Sequence, residues 1–131
     1  MSPDEGGSGT IRVLLADDDQ SFLGSLTELI DSQPELAVVA EASDGLAAIE
    51  LAENLEPDAI VIDLHMPLLD GVTAVARLRR DHPSMCILAL TGDVHPALHR
   101  AVTEAGADAV LVKGEFVEAL VERLSAARAL V

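Results

Sequence analysis

Ala59-Ile60-Val61-Ile62-Asp63 decides how the chain folds: an unbroken apolar run that stops at a carboxylate. A strand with one face in water alternates apolar and polar residues, so a continuous run indicates a strand covered on both faces. The same construction recurs on either side. Val13-Leu14-Leu15-Ala16 runs into Asp17-Asp18-Asp19, Ile87-Leu88-Ala89-Leu90 into Thr91, and Ala109-Val110-Leu111-Val112 into Lys113, the only lysine in the sequence. A fifth run begins near Leu36.

Between the runs the apolar spacing becomes helical. Phe22, Leu26, Leu29 and Ile30 mark helix one, Leu46, Ile49 and Ala52 helix two, and Val72, Val75 and Leu78 helix three. Leu98, Ala101, Val102 and Ala105 mark helix four, and Val117, Leu120, Val121 and Leu124 helix five. Asp44-Gly45, Pro57-Asp58, Asp70-Gly71 and Ala105-Gly106-Ala107 punctuate them as turns. Connections this long rule out hairpins and favour right-handed crossovers. The predicted fold is α/β: a doubly wound five-stranded parallel sheet of order 2-1-3-4-5, a flavodoxin-like three-layer α/β/α sandwich. In that order strands one and three are neighbours, winding reverses between them, and a crevice opens at their carboxyl ends. Residues 1–10, rich in Gly, Ser, Pro and acid, read as a disordered tail, and residues 11–131 as one domain. The tail glycines are no phosphate cradle, since neither a strand before them nor a lysine after them is present.

Half of the 131 residues are apolar, enough for a core without disulfides, and Cys86 is solitary and reads as a small buried hydrophobe. With no Trp, no Tyr and only Phe22 and Phe116, aromatic stacking on bases or sugars is not expected. The net charge of −15 repels phosphate backbones and anionic lipid, so direct nucleic-acid or membrane binding is excluded from the reading. No apolar run approaches the roughly 20 residues that span a bilayer and the amino terminus lacks a signal-peptide pattern, which makes the cytoplasm the expected compartment.

Parallel strands would put every run's end on one rim, where Asp17, Asp18, Asp63, Thr91 and Lys113 meet. Two unit negative charges about 5 Å apart repel by roughly 3 kcal/mol at an effective dielectric near 20, so such a cluster calls for a cation. An all-oxygen carboxylate set suits Mg²⁺, with Mn²⁺ able to substitute, and lacks the Cys or His ligands zinc prefers. A carboxylate beside such an ion can attack a phosphoryl group, whose transition state spreads charge over three oxygens. The ion, the Lys113 ammonium and the Thr91 hydroxyl with nearby amides supply partners for them.

Four segments together give the chain a family resemblance: Leu14-Leu15-Ala16-Asp17-Asp18; Val61-Ile62-Asp63-Leu64-His65-Met66-Pro67-Leu68-Leu69-Asp70-Gly71; Ala89-Leu90-Thr91-Gly92; and Ala105-Gly106-Ala107-Asp108-Ala109-Val110-Leu111-Val112-Lys113. In this order the chain resembles the response-regulator receiver domains of bacterial two-component systems, most closely those of NarL/LuxR type. The resemblance implies that Asp63 is the phosphoacceptor. Asp18 and Asp63 would bind Mg²⁺ directly, Asp17 mainly through a metal-bound water, and the His65 main-chain carbonyl would be a further ligand. Thr91 would follow the phosphoryl group and Lys113 pair with it. A histidine kinase would be the donor, hydrolysis would reset the switch, and no external substrate would be turned over. Homodimerisation on activation is a further implied outcome. So is a DNA-binding output domain controlling transcription; the chain is read either as a single-domain regulator or, as favoured, as a fragment from which that domain is absent.

Several positions depart from the family or have plainer readings. Receivers often carry Tyr or Phe where Val110 stands, and Pro where Gly114 follows the lysine, so the usual aromatic readout is not expected here. Asp19 reads as the cap of helix one and Asp93 as the cap of helix four. His95 and His99 read as exposed, His82 as a helix terminus, and Arg77, Arg79 and Arg80 as a solvated basic face. Two alternatives remain. One is a phosphorylation-independent interaction module, for which Val110 is the main support. The other is a haloacid-dehalogenase-like phosphatase, since Asp17-x-Asp19-x-Ser21 resembles that family's nucleophile motif, although no Asp pair follows Lys113 and there is no room for a cap domain. If repulsion among the acids dominates, Asp18→Asn raises the metal-free melting temperature; a clear decrease in a thermal melt would show that hydrogen bonding outweighs it.

Overall fold

The computed structural model describes residues 10–113 and 121–126. The expectations for residues 1–9, Gly114, Val117 and Leu120 lie outside the described residues. Five strands alternate with helices: β1 (Ile11–Ala16), α1 (Gln20–Asp31), β2 (Leu36–Ala42), α2 (Gly45–Leu55), β3 (Ala59–Asp63), α3 (Gly71–Asp81), β4 (Cys86–Thr91), α4 (Pro96–Ala105) and β5 (Ala109–Val112). Residues 121–126 are helical and belong to α5. The strands are all parallel, in the order β2-β1-β3-β4-β5, as expected from the sequence.

The unbroken apolar runs are explained by where alternate residues go. Leu14, Ala16, Ile60, Ile62, Ile87 and Ala89 pack against α2, α3 and α4 on one face of the sheet. Val13, Leu15, Val61, Leu88 and Leu90 pack against Leu23, Leu26 and Ile30 of α1 and Leu124 of α5 on the other. Both faces are covered over the central strands β1, β3 and β4, while β2 and β5 at the edges are partly exposed. Two helix assignments shift: Leu23, one residue on from Phe22, enters the core from α1, and Leu46 is 49% exposed while Ala48, two residues on, takes its place under α2. Cys86 is half-buried rather than fully so.

Caps follow the polar residues before each helix. Asp19, Asp44 and Asp70 accept from the amides of Phe22 (3.1 Å), Ala47 (2.7 Å) and Val72 (3.3 Å). At α4 the cap is not Asp93 but His95, whose Nδ1 accepts from Leu98 N–H at 3.2 Å, with Pro96 opening the helix behind it. His82 terminates α3 as expected.

Arg79 corrects the reading of a solvated basic face. Its guanidinium donates to the carbonyls of Gly106 (3.0 Å), Pro83 (2.9 Å) and Met85 (2.8 Å) and pairs with Asp108 at 2.8 Å. Asp108 in turn accepts from Ile87 N–H at 2.8 Å. This staple joins the end of α3 to the entrances of β4 and β5, and it runs past Gly106, whose φ of +124° suits glycine and where a Cβ would come within 2.6 Å of Arg79 Cγ. Arg79→Ala leaves these acceptors without their donor and should destabilise the fold by about 2–3 kcal/mol in denaturant titration, with Arg79→Lys restoring only part of it.

Candidate functional site

Strand register assembles the site. Ala16 pairs with Ile62, so Asp17 and Asp63 emerge side by side from β1 and β3; Asp63 pairs with Leu90, and Thr91 with Val112, so Thr91 and Lys113 follow along the same rim. The Lys113 amide donates to the Thr91 carbonyl at 2.7 Å, continuing the ladder to the residue that carries the ammonium. Carboxylate oxygens of Asp17, Asp18 and Asp63 lie within 4.8 Å of one another. Asp17 and Asp63 are buried and Asp18 is exposed.

Lys113 Nζ lies 2.8 Å from Asp17 Oδ2 and 3.5 Å from Asp63 Oδ2. Asp17 Oδ1 accepts from Asp19 N–H at 2.9 Å, and Asp63 Oδ1 from His65 N–H at 3.0 Å. Burial pushes the Asp63 carboxyl above its usual range; the His65 N–H opposes that rise, the Asp17 charge adds to it and Lys113 relieves it. For Lys113 burial works against the ammonium, yet the hydrogen bond to Asp17 and the charges of Asp63 and Asp17 outweigh it and raise its pKa. The Thr91 hydroxyl donates to the Asp93 carbonyl at 3.2 Å and lies 3.4 Å from His65 Nε2, so the exposed His65 ring reaches across the mouth of the site.

Every side chain singled out for the site is thus brought to one place. Asp93 contributes its carbonyl rather than a cap. Phe22, on the apolar side of α1, is half-buried, its ring centroid 4.6 Å from Lys113 Nζ. That cation–π contact gives the ammonium a further partner besides the acids. Its only trace in the sequence is a large ring in the first turn of α1, beside the acid triplet.

The donor set fits a hard divalent cation. Asp17 Oδ2 is buried and faces the Lys113 ammonium at 2.8 Å, but that one cation stands against three clustered carboxylates. An all-oxygen set with negative charge in excess of its counter-charge is suited to a cation of this kind.

The response regulator receiver domain profile matches residues 13–125. The chain belongs to that family. It is 36% identical over 117 residues to the nitrate/nitrite response regulator NarL of Escherichia coli, which covers 89% of this chain and 54% of NarL. It is 36% identical over 103 residues to protein-glutamate methylesterase/protein-glutamine glutaminase 2 of Anaeromyxobacter dehalogenans, covering 79% of this chain and 30% of that protein. The crystal structure of a LuxR-family two-component response regulator from an Aurantimonas species superposes with a TM-score of 0.85 at 32% identity, covering 92% of this chain and 86% of that one. The NarL/LuxR-type resemblance is thereby borne out. The chain spans about half the length of NarL and under a third of the methylesterase. Among the described residues no helix is long and apolar enough to cross a membrane.

The raised Asp63 pKa fixes a sign. A carboxyl whose folded pKa exceeds its unfolded one adds stability below the unfolded pKa and loses it as pH rises through the folded one. In the absence of divalent ions Asp63→Asn should therefore melt above wild type at pH 7, with the gap closing as pH falls below the ordinary Asp range. Magnesium should reverse the order: at about tenfold over its dissociation constant a ligand adds about 1.4 kcal/mol, a gain expected for the wild type and lost in Asp63→Asn. A thermal melt series with and without MgCl₂ reads both.

Proposed function

We propose that this receiver is a Mg²⁺-dependent phosphoacceptor switch in which Asp63 takes a phosphoryl group from a histidine kinase. The observation that carries the reading is the convergence on Asp63 of the Lys113 ammonium, the Thr91 hydroxyl and two further carboxylates across adjacent parallel strands. The carboxylate is held for attack by His65 N–H on one oxygen and Lys113 on the other. As a carboxylate oxygen bonds to phosphorus, the phosphorus–nitrogen bond of the donor phosphohistidine breaks and the departing imidazole takes up a proton. The developing charge on the transferred group falls to Lys113 and, after rotation away from Asp93, to Thr91. Asp17, Asp18, Asp63 and the His65 carbonyl would hold Mg²⁺, which when bound supplies positive charge to the phosphoryl oxygens. Water hydrolyses the acyl phosphate and resets the switch.

Phosphorylation then biases two conformations by contacts that only one of them offers. The rotation of Thr91 is felt beside it, where a groove of about 730 Å³ between α4 and β5 is lined by Thr91, Leu98, Thr103 and Val110. Val110 leaves this groove unfilled, so the readout proceeds by movement of α4 rather than by burial of a ring. Its consumers are a partner or a second copy of the chain, or a DNA-binding output domain of the NarL/LuxR kind controlling transcription, in the cytoplasm.

Acetyl phosphate with MgCl₂ should add one phosphoryl mass to the intact protein and none to Asp63→Asn. Stoichiometric labelling of that variant, or localisation of the acyl phosphate to Asp17 as a dehalogenase-like phosphatase would require, counts against the assignment.

A further inference from the structure

A closed circuit of contacts runs through the Lys113 ammonium. Its Nζ lies 2.8 Å from Asp17 Oδ2. The other oxygen of Asp17, Oδ1, accepts from Asp19 N–H at 2.9 Å, and Asp19 Oδ1 accepts in turn from Phe22 N–H at 3.1 Å. The Phe22 ring returns to the start, its centroid 4.6 Å from Nζ. The cap that opens α1 therefore also holds the ring against the ammonium, and the two groups that grip the ammonium, Asp17 and Phe22, are tied to each other through Asp19. Core packing does not account for the ring: the buried residues of α1 are Leu23, Leu26 and Ile30, and Phe22 stays half-buried at the margin of their layer.

The two grips differ in kind. The bond to Asp17 is short and directional, and it occupies an N–H that a phosphoryl oxygen on Asp63 would require. Nζ is still 3.5 Å from Asp63 Oδ2, so the ammonium has to swing from one acid toward the other as the reaction proceeds. A charge on a flexible four-carbon stem loses rotamer freedom wherever it is held, and a swing through water would forfeit the placement. Attraction to a ring face is directed at the charge rather than along one N–H, and it persists within about 6 Å of the centroid. At 4.6 Å the Phe22 ring can keep hold of the ammonium while its N–H groups exchange Asp17 for a phosphoryl oxygen. The ring also stands where water would otherwise screen the charge.

We propose that Phe22 is the positioning residue for the phosphoryl-binding ammonium: braced by the Asp19 cap, its ring keeps Lys113 within reach of Asp63 as the ammonium passes from Asp17 to the phosphoryl group. The inference rests on Asp63 being the phosphoacceptor and on Lys113 pairing with the group it carries. It gives the third acid of Asp17-Asp18-Asp19 a share in the chemistry without contact with the phosphoryl group, through the ring it places.

Phe22→Leu keeps an apolar side chain and removes the ring face. Phenylalanines with one, two and three ring fluorines, placed at position 22 by amber suppression, keep the shape of the ring and draw negative charge from its face step by step. The probe is beryllofluoride with MgCl₂, which stands for the phosphoryl group on Asp63 and needs no donor. Its affinity, read by calorimetry, should fall by about three- to tenfold in Phe22→Leu, the range of a partly desolvated cation–π contact, and in graded steps along the fluorine series. Mg²⁺ alone should bind every variant as tightly as wild type, because the ring touches none of its ligands. Acetyl phosphate labelling should slow in the same order. Without metal, each added fluorine should lower the melting temperature of the chain that carries Lys113 relative to the same substitution in Lys113→Met, where no cation faces the ring. Unchanged beryllofluoride affinity in Phe22→Leu overturns the proposal. So does a loss in Phe22→Leu with no dependence on fluorination, which would assign the ring to packing alone, and so does equal fluorine dependence of melting with and without Lys113. Absence of beryllofluoride binding by wild type, or undiminished binding by Asp63→Asn, would instead sink the phosphoacceptor reading, and the role of Phe22 with it.

Discussion

The Lys113 ammonium between Asp17 and Asp63 is the interaction on which the carboxyl rim depends. Two buried carboxylates at the ends of adjacent strands would repel each other with little water to screen them, and one cation reaching both makes their proximity tolerable. The ammonium comes from β5, two strands beyond β3 in the sheet, so the charge balance of the site is also a tie across the sheet. Phe22 extends the tie to α1 by lying under the ammonium, and the Thr91–Lys113 backbone bond fixes the height from which the side chain reaches. Remove the lysine and the acids lose their counter-charge while the covering helix loses its polar contact.

That tie exists because the strands are parallel and in register. A shift by one residue would exchange the two faces of a strand and carry Asp63 or Thr91 from the rim into the opposite packing layer. The apolar layers prevent this: Ile60 and Ile62 face α2, α3 and α4 while Val61 faces α1, and neither set can be moved without exposing the other. At the far rim Arg79 binds carbonyls that would otherwise lack partners where α3 ends and β4 and β5 begin. Packing thus sets the register, the register sets the site, and the staple holds the end of the sheet that the site does not.

The sequence displays this arrangement unevenly. The strand order and the meeting of Asp17, Asp18, Asp63, Thr91 and Lys113 could be read from it because apolar runs ending in polar residues are local patterns that a parallel sheet converts directly into a rim. The roles of Arg79, Phe22 and His95 could not. Arg79 sits among Arg77 and Arg80 and looks like any solvated cation; its acceptors are carbonyls brought near only by the tertiary fold. Phe22 has helical spacing compatible with the core, and a rotation of α1 by one position gives that place to Leu23. Asp93 has the better capping chemistry, but Pro96 fixes the first turn of α4 and so makes His95 the residue before it. Leu46 has the spacing of a core residue, yet lies in the first turn of α2, where it is left 49% exposed.

The same charge balance explains why a site of this kind can act as a switch. One ammonium set against three carboxylates leaves the mouth negative, which a divalent cation offsets. On the proposed phosphorylation, the acyl phosphate formed at Asp63 would remove one carboxylate charge and put a dianionic phosphoryl group further out, toward Thr91 and the loop that carries Asp93 and Val94. Lys113, already drawn toward Asp63, can follow that charge; Thr91 can do so only by giving up the Asp93 carbonyl at 3.2 Å. Under the proposed mechanism the hydrogen bond that Thr91 makes to Asp93 would compete with the one it makes to the phosphoryl group. It is this exclusive choice by a single hydroxyl at the entrance to α4, rather than any increase in total binding, that would turn a change of charge at Asp63 into a change of position for the helix.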